Sequence, residues 1–287
     1  MEHTFTSTAS QARKRAPVRP RRMHFDFDSV KERFWFKGNG LITATLSALS
    51  ATFPLGEKEF VRSVMHYRDQ ISDPVLREQM VGFAAQEGQH SYQHQRANAW
   101  LDGVGFDASA VEREVEKNIA KHVRTSPPAV HLASTVVLEH ITAILAEYML
   151  THPHITAEME KPTRELLEWH AVEEIEHKAV AFDVFEAVSG DRDLLRRVGA
   201  LTTIFFVFNQ IRHTVTALKA LEHRPTLREY LEAYDFYFGP DGLITKVAGP
   251  YRDFFRPDFH PWDQDNAHLI EAWKARHESA GAGSEAA

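Results

Sequence analysis

The 287-residue sequence predicts an all-α protein, and three observations carry that reading. From Leu41 onward the apolar residues recur at three- and four-residue spacing, the period of a helix rather than the alternation of a strand. Pro, Gly and Asp gather at a few points and leave long stretches uninterrupted between them, as the starts and stops of long helices do. The chain is 43% hydrophobic and has no cysteine, so it has the material for one large core and none for disulfides, thiolate metal sites or iron–sulfur clusters. Chemistry is left to 40 acidic residues and 17 histidines.

The elements follow in order. Residues 1–22 carry Arg13, Lys14, Arg15, Arg19, Arg21 and Arg22 against the single acid Glu2, lack apolar periodicity, and are expected to form a disordered basic tail. After Pro54 and Gly56, Phe60, Val61, Val64 and Ile71 draw one apolar stripe. Asp73-Pro74 is an N-cap followed by Pro at the first helical position, opening a helix to about Leu101 that Gly103 and Gly105 end. A charged helix over about 108–122 leads to Pro127-Pro128, and an apolar helix then runs to Leu150 and stops at His152-Pro153. Pro162 opens a helix expected to continue unbroken to Val188, with Ser189-Gly190 closing it.

A last long helix, 191–221, contains the most apolar stretch, 198–211, between Arg196-Arg197 and Arg212. At 14 residues this stretch is too short to span a bilayer. It is expected to be a core helix or a homodimer contact, with peripheral contact to an anionic membrane surface as the alternative. Beyond Pro225 the chain turns aromatic, from Tyr230 to Trp262, which predicts additional C-terminal helices and an aromatic flap across the bundle. The domain plan is thus a tail over 1–22, one helical domain over 23–265, and a C-terminal helix and disordered tail over 266–287. No run of 18 apolar residues suggests a spanning segment, and the expected location is cytoplasmic. The formal charge is −7, and −12 without the first 22 residues, so the body is no candidate for binding nucleic acid.

Two short motifs share one form, Glu87-Gly-Gln-His90 and Glu174-Ile-Glu-His177. On a helix, Glu and His at that spacing stand about 60° apart and about 4.5 Å along the axis, so one cation can meet both. As a count, two such pairs are near chance; their placement is not. Each pair lies inside a long helix on its apolar stripe, after Leu76, Met80 and Phe83 in one case and Leu167 and Ala171 in the other. A carboxylate there is buried, which is costly unless a cation meets it. Glu57 lies 30 residues before Glu87, and Glu139 lies 35 before Glu174, the gap an antiparallel helix pair needs to bring both to one level. One Glu from each of two helices plus Glu-x-x-His from each of two others is the ligand set of a dimetal carboxylate site in a four-helix bundle.

The bundle and its ligand order resemble the ferritin-like di-iron superfamily. The motifs Phe53-Pro-Leu-Gly-Glu57, Gln86-Glu87-x-x-His90-x-x-x-His94 and His170-x-x-Glu173-Glu174-x-Glu176-His177-Lys178, with Asp258-Phe-His-Pro-Trp262, resemble the bacterial family described as predicted metal-dependent hydrolases, over about 23–265. His170, one turn before Glu174, gives a His-x-x-x-Glu-x-x-His face similar to that of the p-aminobenzoate N-oxygenase family, where the resemblance implies a histidine-enriched di-iron site that activates dioxygen. The expected metal and catalytic residues are Glu57, Glu87, His90, Glu139, His170, Glu174 and His177, with Glu87 and Glu174 bridging.

His94 is expected behind the ligands, orienting one of them or lining the pocket. Glu59 competes with Glu57 but points to the opposite side of its helix. Glu173 and Glu176 rotate away from Glu174 by about 100° and 200° and are expected to be surface charge, Glu173 being a possible substitute ligand. His131, His140 and His213 are read as ordinary or buried hydrogen-bonded histidines, and Tyr92 and Tyr148 as core aromatics, with a tyrosine near the metal as the alternative. Four carboxylates with three imidazoles suit two iron ions, or manganese, better than tetrahedral zinc. The leading expectation is therefore a di-iron oxygenase acting on dioxygen and a small apolar substrate, with an electron donor the sequence does not name. The alternatives are a metal-dependent hydrolase using a metal-bridging water, and a non-enzymatic metal-binding or membrane-surface bundle.

Overall fold

The computed structural model describes residues 18–284, with side chains to residue 277. The regular structure of the described residues is helical, with one isolated β-bridge between Phe36 and Met159 and no strand. Helices α1 (Gly40–Ser50) and α2 (Phe53–Met65) lead to α3 (Pro74–Gly103), α4 (Ala108–Thr125) and α5 (Pro128–Thr151). Then come α6 (Lys161–His177), α7 (Val180–Val188), α8 (Arg192–Ala220), α9 (Leu227–Phe238), α10 (Leu243–Asp253) and α11 (Ala267–Ser284), with a one-turn helix at Pro153–Thr156.

Local chemistry sets the helix starts. The Asp73 carboxylate accepts from the backbone N–H of Val75 at 2.9 Å, ahead of Pro74, as its spacing predicts. Asn39, Asp107 and Asp191 cap α1, α4 and α8 in the same way, and Thr226 with Glu229 forms a reciprocal capping box on α9. Four helices pack around one seam: α2 against α3, α5 against α6, and across them α2 against α5 and α3 against α6. Phe60, Val64, Met80, Phe83, Val136 and Val184 share the largest buried cluster with Phe254 and Phe259 of the C-terminal segment. The aromatic flap is therefore mostly helical, and α10 lies along α5.

Four expectations change. The basic tail was placed over 1–22, yet Val18 is buried and Arg21 part-buried against the helices, while residues 1–17 lie outside the described residues. Val18 is buried against Gly82, where a Cβ would come within 2.1 Å of the Val18 carbonyl oxygen. The helix expected to run unbroken to Val188 stops at His177 and restarts at Val180, so that α7 turns to pack on α5 and α3. Ile71 follows a 3-10 turn outside α2 rather than extending its stripe within the helix. The 198–211 stretch is not a core helix: Leu201, Ile204, Phe205, Val207, Phe208 and Ile211 are exposed, Phe205 by 63%. By length and composition α5 alone among the described helices is apolar enough to cross a membrane, and 67% of that window is buried inside the protein.

Candidate metal centre

All seven expected site residues converge in the seam between α2, α3, α5 and α6. Their side chains form three interlocking triads, Glu57–His90–His170, Glu87–His90–Glu174 and Glu87–Glu139–His177, each with ligand atoms within 4.8 Å of one another and every residue buried. Glu57 comes from α2, Glu87 and His90 from α3, Glu139 from α5, and His170, Glu174 and His177 from α6. Glu59, Glu57's competitor, faces outward instead and binds Arg62 through both carboxylate oxygens.

Two carboxylates tie the outer triads together. Glu87 lies 3.3 Å from His177 Nε2 through one oxygen and 3.6 Å from His90 Nδ1 through the other. Glu174 Oε1 stands 2.9 Å from His170 Nε2, 3.5 Å from His177 Nε2 and 3.7 Å from His90 Nδ1. The Thr142 hydroxyl donates to Glu174 Oε2 and pins that carboxylate from behind.

Each histidine is fixed by its far nitrogen. His90 Nε2 donates to Glu173 Oε2 at 3.1 Å, and His177 Nδ1 donates to the Gln86 amide oxygen at 2.9 Å. His170 Nδ1 meets His94 Nε2 at 2.7 Å, and His94 Nδ1 meets the Ser50 hydroxyl at 2.8 Å. In the structure His170 Nε2 donates to Glu174 Oε1 at 2.9 Å; with cations in the seam, one tautomer set would keep the far-nitrogen contacts and turn the lone pairs of His90 Nδ1, His170 Nε2 and His177 Nε2 toward them. Phe83 packs edge-on against His177 and Phe53 packs against both His94 and His170, so apolar rings exclude water from the imidazoles.

The electrostatics call for cations. Both oxygens of Glu57, Glu87 and Glu139, with His90 Nδ1 and His177 Nε2, are buried and make no hydrogen bond. Burial, reinforced by neighbouring carboxylates, pushes Glu57, Glu87 and Glu139 well above the usual carboxylate range. Glu174 goes the other way: burial opposes its charge, but His177 and His170 outweigh that and hold it well below. Burial, with the nearby His90, brings His170 down to about 4, favouring the neutral imidazole a metal requires. Once ionised, four glutamates would supply the four negative charges that two divalent cations balance. The donor set therefore fits two hard or borderline ions.

Two side chains expected on the surface belong here. Glu173 is fully buried, accepting from His90, from Trp169 Nε1 at 3.1 Å and from Arg21, and Glu176 is half-buried against Gln86 and Arg21. Helical angle alone placed both outside the bundle; a neighbouring segment covers that side. Gln86, which the motif contained without a role, holds His177. Tyr92 is 56% exposed and stands away from the seam, and the Tyr148 hydroxyl donates to the Asp241 carbonyl oxygen at 2.9 Å.

An all-helical protein with a buried, carboxylate-rich and histidine-bearing centre is the class these features define. Within it, the chain belongs to the family described as predicted metal-dependent hydrolase, whose model matches residues 19–265. No curated protein and no solved structure matches the chain.

Proposed function

We propose that the protein is a metal-dependent hydrolase with a dinuclear centre, whose two divalent cations would be held by Glu87 and Glu174 between them, by Glu57, His90 and His170 on one side and by Glu139 and His177 on the other. The observation that carries this reading is the set of three interlocking buried triads whose inward-facing atoms are largely without hydrogen bonds. The family description supports hydrolysis as the chemistry. What such a pair of ions supplies when bound is a water of lowered pKa aimed at an ester or phosphoester. The chain's own residues hold the donors ready. Gln86, Glu173 and His94 fix the three imidazoles, and Thr142 orients Glu174, so little rearrangement is needed when the ions enter.

A second reading, a di-iron oxygenase on a ferritin-like bundle formed by α2, α3, α5 and α6, is favoured by the donor count of four carboxylates and three imidazoles, which suits iron or manganese. One comparison separates the two. Protein loaded with zinc or manganese and kept free of dioxygen is expected to hydrolyse members of a carboxylic-ester and phosphoester panel. Ferrous protein that instead consumes dioxygen and changes its visible spectrum on aeration, with no turnover of the panel, overturns the hydrolase. Elemental analysis is expected to give two ions per chain, and no bound metal would end both readings.

A further inference from the structure

The N-terminal segment before α1 runs beside α3 and is held there residue by residue. Val18 seats on Gly82, the Arg19 carbonyl oxygen accepts from Gln86 at 3.2 Å, the Met23 carbonyl from Gln93 at 2.6 Å, and the Phe25 carbonyl from Arg96 at 3.1 Å. This strap delivers Arg21 beside the contact of α3 with α6, behind the seam-facing histidines. There its backbone N–H donates to Glu173 Oε1 at 3.0 Å and its guanidinium to the same oxygen at 3.1 Å. The fork also grips Glu176, at 2.7 Å to one oxygen and 2.5 Å to the other. Trp273 of α11 covers the guanidinium at 5.5 Å, and Lys274 reaches Glu176 at 3.6 Å.

Both carboxylates that Arg21 grips lead inward. Glu173 Oε2 holds His90, while Glu176 Oε2 accepts from the Gln86 amide at 2.9 Å and so turns the Gln86 oxygen toward His177. A lysine at position 21 carries its three donors on one nitrogen and cannot reproduce the planar two-nitrogen grip on both carboxylates.

We propose that Arg21 is a positioning residue for the centre: one guanidinium, seated by the strap, fixes the two outer carboxylates that orient His90 and His177. This role rests on the metal-binding reading given above. It makes the strap part of the site although it contributes no ligand.

The test is equilibrium binding of cobalt(II) and manganese(II) to the full chain, followed by the cobalt absorption spectrum. Arg21→Ala is expected to lower affinity about 10–100-fold, with helix content unchanged, and Arg21→Lys to recover only part of the loss. Gly82→Ala leaves Arg21 intact, raises helix propensity in α3 and displaces Val18, so it is expected to reproduce the loss without touching a charged group. If Arg21 acts through Glu173 and Glu176, the Arg21→Ala/Glu173→Gln double variant loses clearly less than the sum of the two single losses, since only the Glu176 route is left to lose. Strictly additive losses, or wild-type affinity and spectrum in both Arg21→Ala and Gly82→Ala, overturn the clamp and leave the metal centre standing. A wild type that takes up neither ion overturns the centre, and the clamp with it.

Discussion

Glu87 and His90 sit in the middle of α3, a helix that continues to Gly103, whereas Glu174 and His177 end theirs, since α6 stops at His177 and the chain restarts in α7. The supports differ as well. Behind His90 stands a carboxylate, Glu173, whereas behind His177 stands a neutral amide, Gln86. The α6 half also carries a third imidazole, His170, backed by His94. The same Glu-x-x-His spacing thus yields two unequal halves: the local motif aims the ligands, and the backbone and the groups behind them set how firmly each is held. A carboxylate accepting from an imidazole N–H makes a stronger, charge-assisted bond than an amide oxygen does.

The largest effects test the residues the two halves share. Glu87→Ala and Glu174→Ala are each expected to abolish uptake of both ions while circular dichroism keeps the helix signal, and full occupancy by elemental analysis in either variant would refute bridging. Next come the residues that belong to one half. Glu57→Ala is expected to leave one ion per chain on the Glu139 side and Glu139→Ala one on the Glu57 side, read as a halved metal-to-protein ratio. Loss of both ions in each variant would mean that the halves do not fill separately.

A smaller effect concerns pH. Glu57 in the metal-free protein is raised well above its unfolded value, so the folded state binds the proton more tightly and stability falls as pH rises through the window above about 4.3. Glu57→Gln removes that penalty. The metal-free variant is therefore expected to melt higher than metal-free wild type at pH 7.5, with the gap closing toward pH 5, at no more than about 1.4 kcal/mol per pH unit. A gap that widens on acidification contradicts the assignment.

Behind the ligands, Glu173→Gln is expected to lower cobalt affinity by up to about 100-fold and Gln86→Ala by about tenfold. The reverse order would show that the charge behind His90 is not what separates the halves. At the bottom of the scale, Tyr92→Phe is expected to change neither metal content nor melting temperature, because that ring is exposed.

Much of the centre was legible in the sequence because buried acids on helical stripes have few explanations. Glu57, Glu87, Glu139 and Glu174 stood at positions whose apolar neighbours required burial. The helix starts were legible for a similar reason: Asp73-Pro74 is local chemistry. The break after His177 was not, since Lys178-Ala179 contains neither Gly nor Pro. There the chain turns while Lys178 reaches the Gln264 carbonyl and Asn266 Oδ1, partners nearly 90 residues away. The burial of Glu173 was hidden by the same kind of distance. Its angle on α6 is correct for a surface residue, and only the strap, reaching it from a stretch whose composition reads as tail, converts that surface into an interior. The exposed apolar face of α8 inverts the usual rule, because hydrophobicity alone does not report which side a helix turns to its neighbours.

The strap has one more implication, for the order of events during synthesis. Arg21 leaves the ribosome long before the carboxylates it grips, which stand 152 and 155 residues downstream. It has nothing to fasten until α6 has emerged and docked. The Arg21 contacts of the described chain therefore close on a nearly finished molecule, and if the clamp holds, the aim of His90 and His177 is set only then.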